Sequence, residues 1–293
     1  MILPLILAQS EGPDPRNLPI GRPGTVSVAV GEIRNTTTMG TASVVDIAKA
    51  AKGYRYVFVG ESHDHPDHHK MQASVIDALV AQGRDVVVGF EMFTRPVQKS
   101  LAPWSLGRYT EPQFIVESDW QKQWGFPFEI YAPIFRTIQK SRLPMVALNV
   151  PRDWVRAVGK GGYEGLTAEQ RQQLPAELYL GNKDHENVFV ALMGGHPPTS
   201  ANIYKAQVLW DEGMADTAIK YFENRAAGRN TVMVIIAGIG HGMYGQGINY
   251  RILRRTGEKT LTVAMVESGQ PAKVSRGIGD FVYVAPTFER PKR

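Results

Sequence analysis

The chain has 293 residues, 43% of them hydrophobic, enough to bury a large core in one elaborated domain or in two. It contains no cysteine, which excludes disulfides, thiolate metal sites, cysteine nucleophiles and cysteine-linked lipid. Its formal charge of +5 is spread along the chain with no Lys/Arg block, zinc-finger spacing or recognition-helix pattern, so no nucleic-acid partner is expected, although mild positive charge helps anions approach.

Met1 to Ala8 is apolar, lacks a basic leader and is too short to cross a bilayer. It reads either as the tail of a signal peptide, with Ala8 near a cleavage point, or as a disordered or docked terminus. Ser10 to Gly24 is rich in Pro and Gly, so residues 1–23 are expected to form a flexible segment. Val26 to Ile33 alternates imperfectly, as an edge strand or half a hairpin does. Ser43 to Lys52 reads as a short helix with Ser43 as its cap and Asp46 three residues on. Tyr54 to Gly60 is continuously apolar, the mark of a strand buried on both faces, and runs into Glu61-Ser62-His63-Asp64-His65.

His69 to Gln82 carries Met71, Val75, Ala78 and Leu79 at helical spacing, with Gly83 as a stop. A second strand, Asp85 to Phe90, ends at Glu91. Val97 to Leu101 begins a helix that Pro103 is expected to break. Asp119 to Phe128 is dense in aromatics (Trp120, Trp124, Phe126 and Phe128). Tyr131 to Ser141 reads as a helix, and Pro144 to Asn149 as a third strand, followed by Pro151, Arg152 and Asp153.

Arg152 to Asn230 offers no strand candidate. Thr167 to Gln173 has capping-box spacing, Asp184 to Met193 is mixed, and Ile203 to Arg225 is long and amphipathic, with Ile203, Ala206, Trp210, Met214, Ala218 and Phe222 on one stripe. Strands resume at Thr231 to Ala237, which ends in Gly238-Ile239-Gly240-His241, and continue at Leu261 to Glu267 and Asp280 to Val284. The expected fold is α/β: a mostly parallel central sheet flanked by helices, with residues 24–151 and 231–293 as the core and 152–230 as a small helical insertion or cap over a pocket.

In a parallel sheet the carboxyl ends of strands share one edge, where open α/β folds place ligands. Glu61, His63, Glu91, Arg152 and His241 all follow strand ends. Glu91 comes after a buried run, so it must meet Arg152, a metal or a histidine proton. A structural Glu91–Arg152 brace is one form of this. His65 and His69 lie four apart and face one way if the helix has begun, although His65, His68 and His69 also suit exposed cap positions. Flanking glycines let the backbone near His241 approach a ligand closely, and Tyr244 follows three residues later. Three chemistries fit. Glu61, His63 and His241, with Glu91, suit a divalent metal that acidifies water for hydrolysis. A carboxylate-activated histidine suits a metal-free general base. A cleft covered by helices suits a large apolar ligand whose iron is reached by a tyrosine or histidine.

Gly60-Glu61-Ser62-His63-Asp64 with His68-His69, Phe90-Glu91-Met92-Phe93, Ala147-Leu148-Asn149-Val150-Pro151-Arg152, Trp210-Asp211-Glu212-Gly213-Met214-Ala215 and Ala237-Gly238-Ile239-Gly240-His241 occur in this order. From about Gly53 to Glu267 the chain resembles the ChaN-like haem-binding uptake family, grouped with the Tiki proteases, TraB proteins and erythromycin esterases. The resemblance implies an α/β core with a small helical domain, haem as cofactor, a periplasmic or cell-envelope role in iron uptake, and uptake proteins as partners. It also implies a homodimer holding cofacial haems, with a tyrosine on the iron helped by a histidine of the partner subunit. Tyr109, Tyr179, Tyr204, Tyr244 and Tyr250 are candidates for that tyrosine, and His65 and His69 for further haem contacts. Lacking cysteine, the chain as given is not expected to carry the lipidated anchor of ChaN-like lipoproteins, which leaves both a soluble periplasmic and a cytoplasmic placement open. The Tiki likeness implies, as the alternative, a metal-dependent peptidase or esterase using Glu61, His63, Glu91 and His241, and the esterase likeness implies a metal-free hydrolase.

Overall fold

Continuous Val, Ile and Phe content in the strand runs leaves no polar face, which suits a sheet covered on both sides. The computed structural model describes residues 12–195, 198–224 and 228–290. Met1 to Ala8 lies outside them. In chain order the elements are β1 (Thr25–Val28), β2 (Ile33–Asn35), β3 (Thr41–Ala42), α1 (Val44–Ala50), β4 (Tyr56–Glu61), α2 (Pro66–Ala81), β5 (Asp85–Thr94), α3 (Gln98–Ser105), α4 (Glu111–Glu117), α5 (Trp120–Gln123), α6 (Phe128–Ser141) and β6 (Met145–Asn149). The remainder are α7 (Arg152–Gly161), α8 (Ala168–Gln172), α9 (Lys183–Leu192), α10 (Ala201–Glu223), β7 (Thr231–Gly238), α11 (Ile248–Thr256), β8 (Thr260–Glu267), β9 (Ala272–Ser275) and β10 (Phe281–Ala285).

The main sheet has the order β3-β2-β10-β8-β4-β7-β5-β6. The strands from β10 to β6 run parallel, while β2 and β3 add an antiparallel margin. The chain moves outward from β4 to β5 and β6, then returns through α10 to place β7 between β4 and β5. Reversing direction with crossovers of one hand puts helices on opposite faces. Side-chain parity follows. Val57, Val59, Val88, Phe90, Val234 and Ile236 pack with residues of α2 and α6. Tyr56, Phe58, Val87, Leu148, Ile235 and Ala237 pack with residues of α10 and α11.

Several expectations are corrected by packing. Residues 12–23 are not free: Leu18 and Ile20 are buried with Val28, Val274 and Val284, and the Leu18 N–H donates to the Tyr244 hydroxyl at 2.9 Å. These two apolar side chains, with the Arg22–Asp280 ion pair at 2.9 Å and the Ser275 N–H donating to the Arg16 carbonyl at 2.9 Å, anchor that Pro/Gly-rich stretch. The Val26–Ile33 run divides, because β1 pairs antiparallel with the unanticipated β9 while β2 joins the main sheet. Pro103 lies inside α3 rather than ending it. Leu101 and Trp104 are buried on either side of it, and the Trp104 indole donates to the Phe135 carbonyl at 2.9 Å, offsetting the backbone bond that proline removes. The Ser43–Asp46 and Thr167–Gln170 capping boxes both form.

The segment 152–230 has no strand among its described residues, and its helices pack both on one another and on the sheet. Leu209 of α10 packs with Val155 and Val158 of α7, whereas Met214, Ala218 and Phe222 belong to the sheet's own core. The stripe read from sequence thus splits: its second half covers the sheet, and Ile203, Ala206 and Trp210 face a cleft. Gly213 lies at this junction, where an added Cβ would overlap the Val150 Cγ1. Gly213→Ala is expected to lower stability by about 1–3 kcal/mol in urea unfolding, because overpacking exceeds the gain of about 1 kcal/mol in helix propensity. A more stable variant would refute the close packing.

Candidate functional site

Strand parity places the two strand-end glutamates. Glu61 continues the Val57–Val59 row toward α2, and Glu91 continues the Val87 row toward α10. They leave opposite faces of the sheet, on strands separated only by β7. The Glu61 Oε1 lies 2.7 Å from the His63 Nδ1, and its Oε2 has no hydrogen-bond partner among the described residues, lying 3.9 Å from the His69 Nε2. The Glu91 Oε2 accepts the Gly238 N–H at 2.7 Å, while its Oε1 lies 3.3 Å from the His241 Nε2. On the other side of that ring, Nδ1 lies 2.5 Å from the Asp211 Oδ1 and 3.0 Å from the Gln207 amide nitrogen. Gly238 joins the two halves. A Cβ there would sit 2.7 Å from the His63 Cε1, so only a glycine lets this imidazole lie against the β7 end beside Glu91.

Burial alone disfavours a charged imidazole, yet the Glu91 and Asp211 carboxylates outweigh it and raise the His241 pKa to about 10. His63 is likewise pushed down by burial but pulled up to about 9 by Glu61, then Glu91. Burial would raise Glu91, but His241 and His63 hold it at about 2. Asp211 is held below the usual carboxylate range: burial opposes its charge, and His241, His185 and Arg251 more than compensate. These shifts favour imidazolium at His63 and His241 beside carboxylate at Glu91 and Asp211.

The other histidines build the loop that presents His63. The Ser62 N–H donates to the His68 Nδ1 at 2.9 Å. The His63 carbonyl receives the Tyr131 hydroxyl at 2.7 Å and lies 3.2 Å from the His69 Nε2. His65 caps α2, accepting the Asp67 N–H on Nδ1 at 3.2 Å, with its Nε2 2.9 Å from the Pro286 carbonyl. Its ring stacks on His68 at 4.2 Å. His65, His68 and His69 are fully buried, neither exposed caps nor lining the cleft. Tyr244 is also turned away: it is buried, and its hydroxyl donates to the Pro15 carbonyl while accepting the Leu18 N–H, each at 2.9 Å. Arg152 makes no brace with Glu91. Its guanidinium donates to the Gln123 carbonyl and lies over the Trp124 ring at 5.9 Å, while the Glu91 carboxylate faces the His241 imidazole instead.

Sequence reasoning assigned no role to Asp211, His185, Gln207 or Arg251. The Asp211 Oδ2 lies 2.9 Å from the His185 Nε2, whose Nδ1 lies 2.9 Å from the Tyr204 hydroxyl. Arg251, 1% exposed, has its Nη1 3.8 Å from the Asp211 Oδ2 and its Nε 3.3 Å from the Glu212 Oε1. The available signal was the acidic Asp211-Glu212 pair beside the apolar stripe of a long helix, since buried carboxylates require cationic partners.

Around these groups lies a two-lobed cleft. The larger lobe, about 710 Å³, has Trp124, Phe126, Phe189, Ile203 and Trp210 in its walls and Arg152 and Arg156 among its polar lining. The smaller, about 320 Å³, lies over Glu61, Ser62, His185 and Gly238 to His241. His63, Gln207 and His241 border both. Glu61, His63, Glu91, Arg152 and His241 are therefore brought to one edge. Among the described residues, no group of three or more His, Asp or Glu side chains is arranged to hold a metal ion. The expected set of Glu61, His63 and His241 is divided, with Glu61 closing on His63 and His241 lying between Glu91 and Asp211.

A family profile described as haem-binding uptake, Tiki superfamily, ChaN matches residues 47–252. Comparison with curated proteins finds no match. Among solved structures, ChaN of Campylobacter jejuni, described with cofacial haem binding, is similar at 18% identity and a TM-score of 0.65, over 86% of this chain and 95% of that one. A mutant erythromycin esterase in its open conformation has 11% identity and a TM-score of 0.48, over 84% and 77% of the two chains. A MARTX toxin effector domain from Vibrio vulnificus has 13% identity and a TM-score of 0.46, over 85% and 41%. At 18% identity the likeness to the Campylobacter jejuni ChaN structure is one of fold.

Proposed function

Because the chain belongs to the haem-binding uptake family of the Tiki superfamily, we propose that it binds haem in the larger lobe of the cleft and serves haem or iron uptake in the cell envelope. The observation that carries this reading is the setting of His63. Its Nδ1 is held by Glu61, its side chain is 35% exposed and it borders an aromatic-walled lobe of about 710 Å³. That lobe has the size and apolar lining of a cofactor pocket. A carboxylate on one imidazole nitrogen orients the ring and makes the other nitrogen a better metal ligand. Haem would supply an iron that a histidine nitrogen can ligate. No tyrosine lines this lobe among the described residues, so His63 is the ligand proposed from within the chain. Ligation by a tyrosine, with a partner subunit contributing a histidine, is the dimeric form of the same reading.

The test is a hemin titration followed at the Soret band. Wild type should saturate with a shifted band, and His63→Ala should lose the shift. Since His63 holds a proton up to about pH 9 and iron must displace it, affinity should rise from pH 7 toward 9. Weak, non-saturating association in wild type would defeat the reading. The two carboxylate-held imidazoles also favour a second one, acid–base hydrolysis of an ester or peptide. His63-dependent turnover in ester and peptide panels, without saturable hemin binding, would select it.

A further inference from the structure

Arg152 and Arg156 stand four residues apart on α7, both exposed and both in the lining of the larger lobe. Neither forms an ion pair with a carboxylate among the described residues, although the Glu91 charge favours the Arg152 guanidinium from a distance. Arg152 spends one N–H on the Gln123 carbonyl, and Arg156 makes no hydrogen bond or ion pair with a described residue. Asp153, on the same turn, pairs with neither, and Glu91 is committed to Gly238 and His241. Like charges at this spacing repel, and a cation in the first turn, where Arg152 stands, opposes the helix dipole. An arrangement disfavoured twice over in the free chain becomes favourable when two anionic groups lie against it. The aromatic walls beside the arginines suit anions carried on a flat apolar body.

We infer that Arg152 and Arg156 are specificity residues for a planar dicarboxylate, and that the cleft recognises a porphyrin by its two free propionates as well as by its metal. This rests on the proposed haem-binding reading. Guanidinium groups pair with carboxylates through two parallel N–H bonds, and their flexible arms can spread to meet both. His63 would hold the iron, while the arginines would decide which porphyrins enter and which edge faces outward.

The experiment compares hemin with hemin dimethyl ester, which keeps the ring and iron but lacks both charges. Both are titrated into wild type, Arg152→Gln/Arg156→Gln and His63→Ala. Both arginines are exposed, so the double variant should fold. Wild type should bind hemin about tenfold more tightly than the ester at low salt, with the gap narrowing as salt rises. The double variant should lose about tenfold for hemin and leave the ester unchanged. His63→Ala should keep the preference for hemin, read by quenching of tryptophan fluorescence, despite its altered Soret band. Equal affinity of wild type for the two ligands, or an equal loss for both in the double variant, would overturn the arginine assignment while leaving haem binding intact. Failure of wild type to saturate with hemin would overturn both.

Discussion

Asp211→Ala should lower the free energy of unfolding by about 3–5 kcal/mol, the range expected when one member of a buried charge cluster is removed. Asp211 is fully buried and faces three basic side chains, His241, His185 and Arg251. Truncation leaves His241 with Glu91 alone and Arg251 with Glu212 at 3.3 Å. It also removes the acceptor that fixes the His185 ring, whose other nitrogen meets Tyr204. Asp211→Asn preserves shape and one acceptor but not the charge, so it should recover less than half of the loss. Urea unfolding of the three proteins at pH 7 measures this. A loss below about 1 kcal/mol for the alanine variant would mean that Asp211 is not the hub of the network.

The second large effect is the dependence of stability on pH, which should peak near pH 6.5. His241 titrates near 6.5 when unfolded and about 10 when folded. A raised folded pKa means that the native state binds more protons between those values. Its stabilisation is therefore complete below pH 6.5 and is lost as pH rises through 10. For a group this deeply buried the loss is about 3–5 kcal/mol. His63, raised to about 9, acts in the same direction. The acid limb has the opposite sign. Burial is the largest cause of the His68 depression to about 3, so its contribution is present above pH 6.5 and falls away below it. Glu91, at about 2 when folded, adds stability above its ordinary value of 4.5 that is lost as pH falls. Urea midpoints from pH 4 to 9.5 should trace this maximum, and Asp211→Ala should flatten the alkaline limb. A level profile between pH 6.5 and 9.5 would show that the imidazolium–carboxylate pairs contribute nothing to folding.

Much of the site was legible because strand ends are legible. Buried parallel strands are continuous apolar runs, and the polar residue that ends each run lies at the ligand-bearing edge. Glu61, His63, Glu91 and His241 were read this way, and the fold brings them to that edge. His65 and His69 were misplaced because a histidine at the start of a helix can face solvent, ligand or core, and spacing does not distinguish these. Here the decision came from elements distant in sequence: the Pro286 carbonyl turned His65, and the packing of Tyr131 with the His63 backbone enclosed His69. Tyr244 was drawn away from the cleft by residues 15 and 18, in a segment whose composition reads as a linker.

The sequence by itself determined the α/β class, the strand runs, the capping boxes and the residues that end each strand, since these depend on local periodicity and on neighbours within a few positions. Only the tertiary structure decided which carboxylate meets which imidazole. Parity sends Glu61 and Glu91 to opposite faces, Gly238 leaves the space in which they approach, and α10 delivers Asp211 from a distant part of the chain. A buried charge takes whatever counter-charge the packing brings within reach, and no local pattern records that choice.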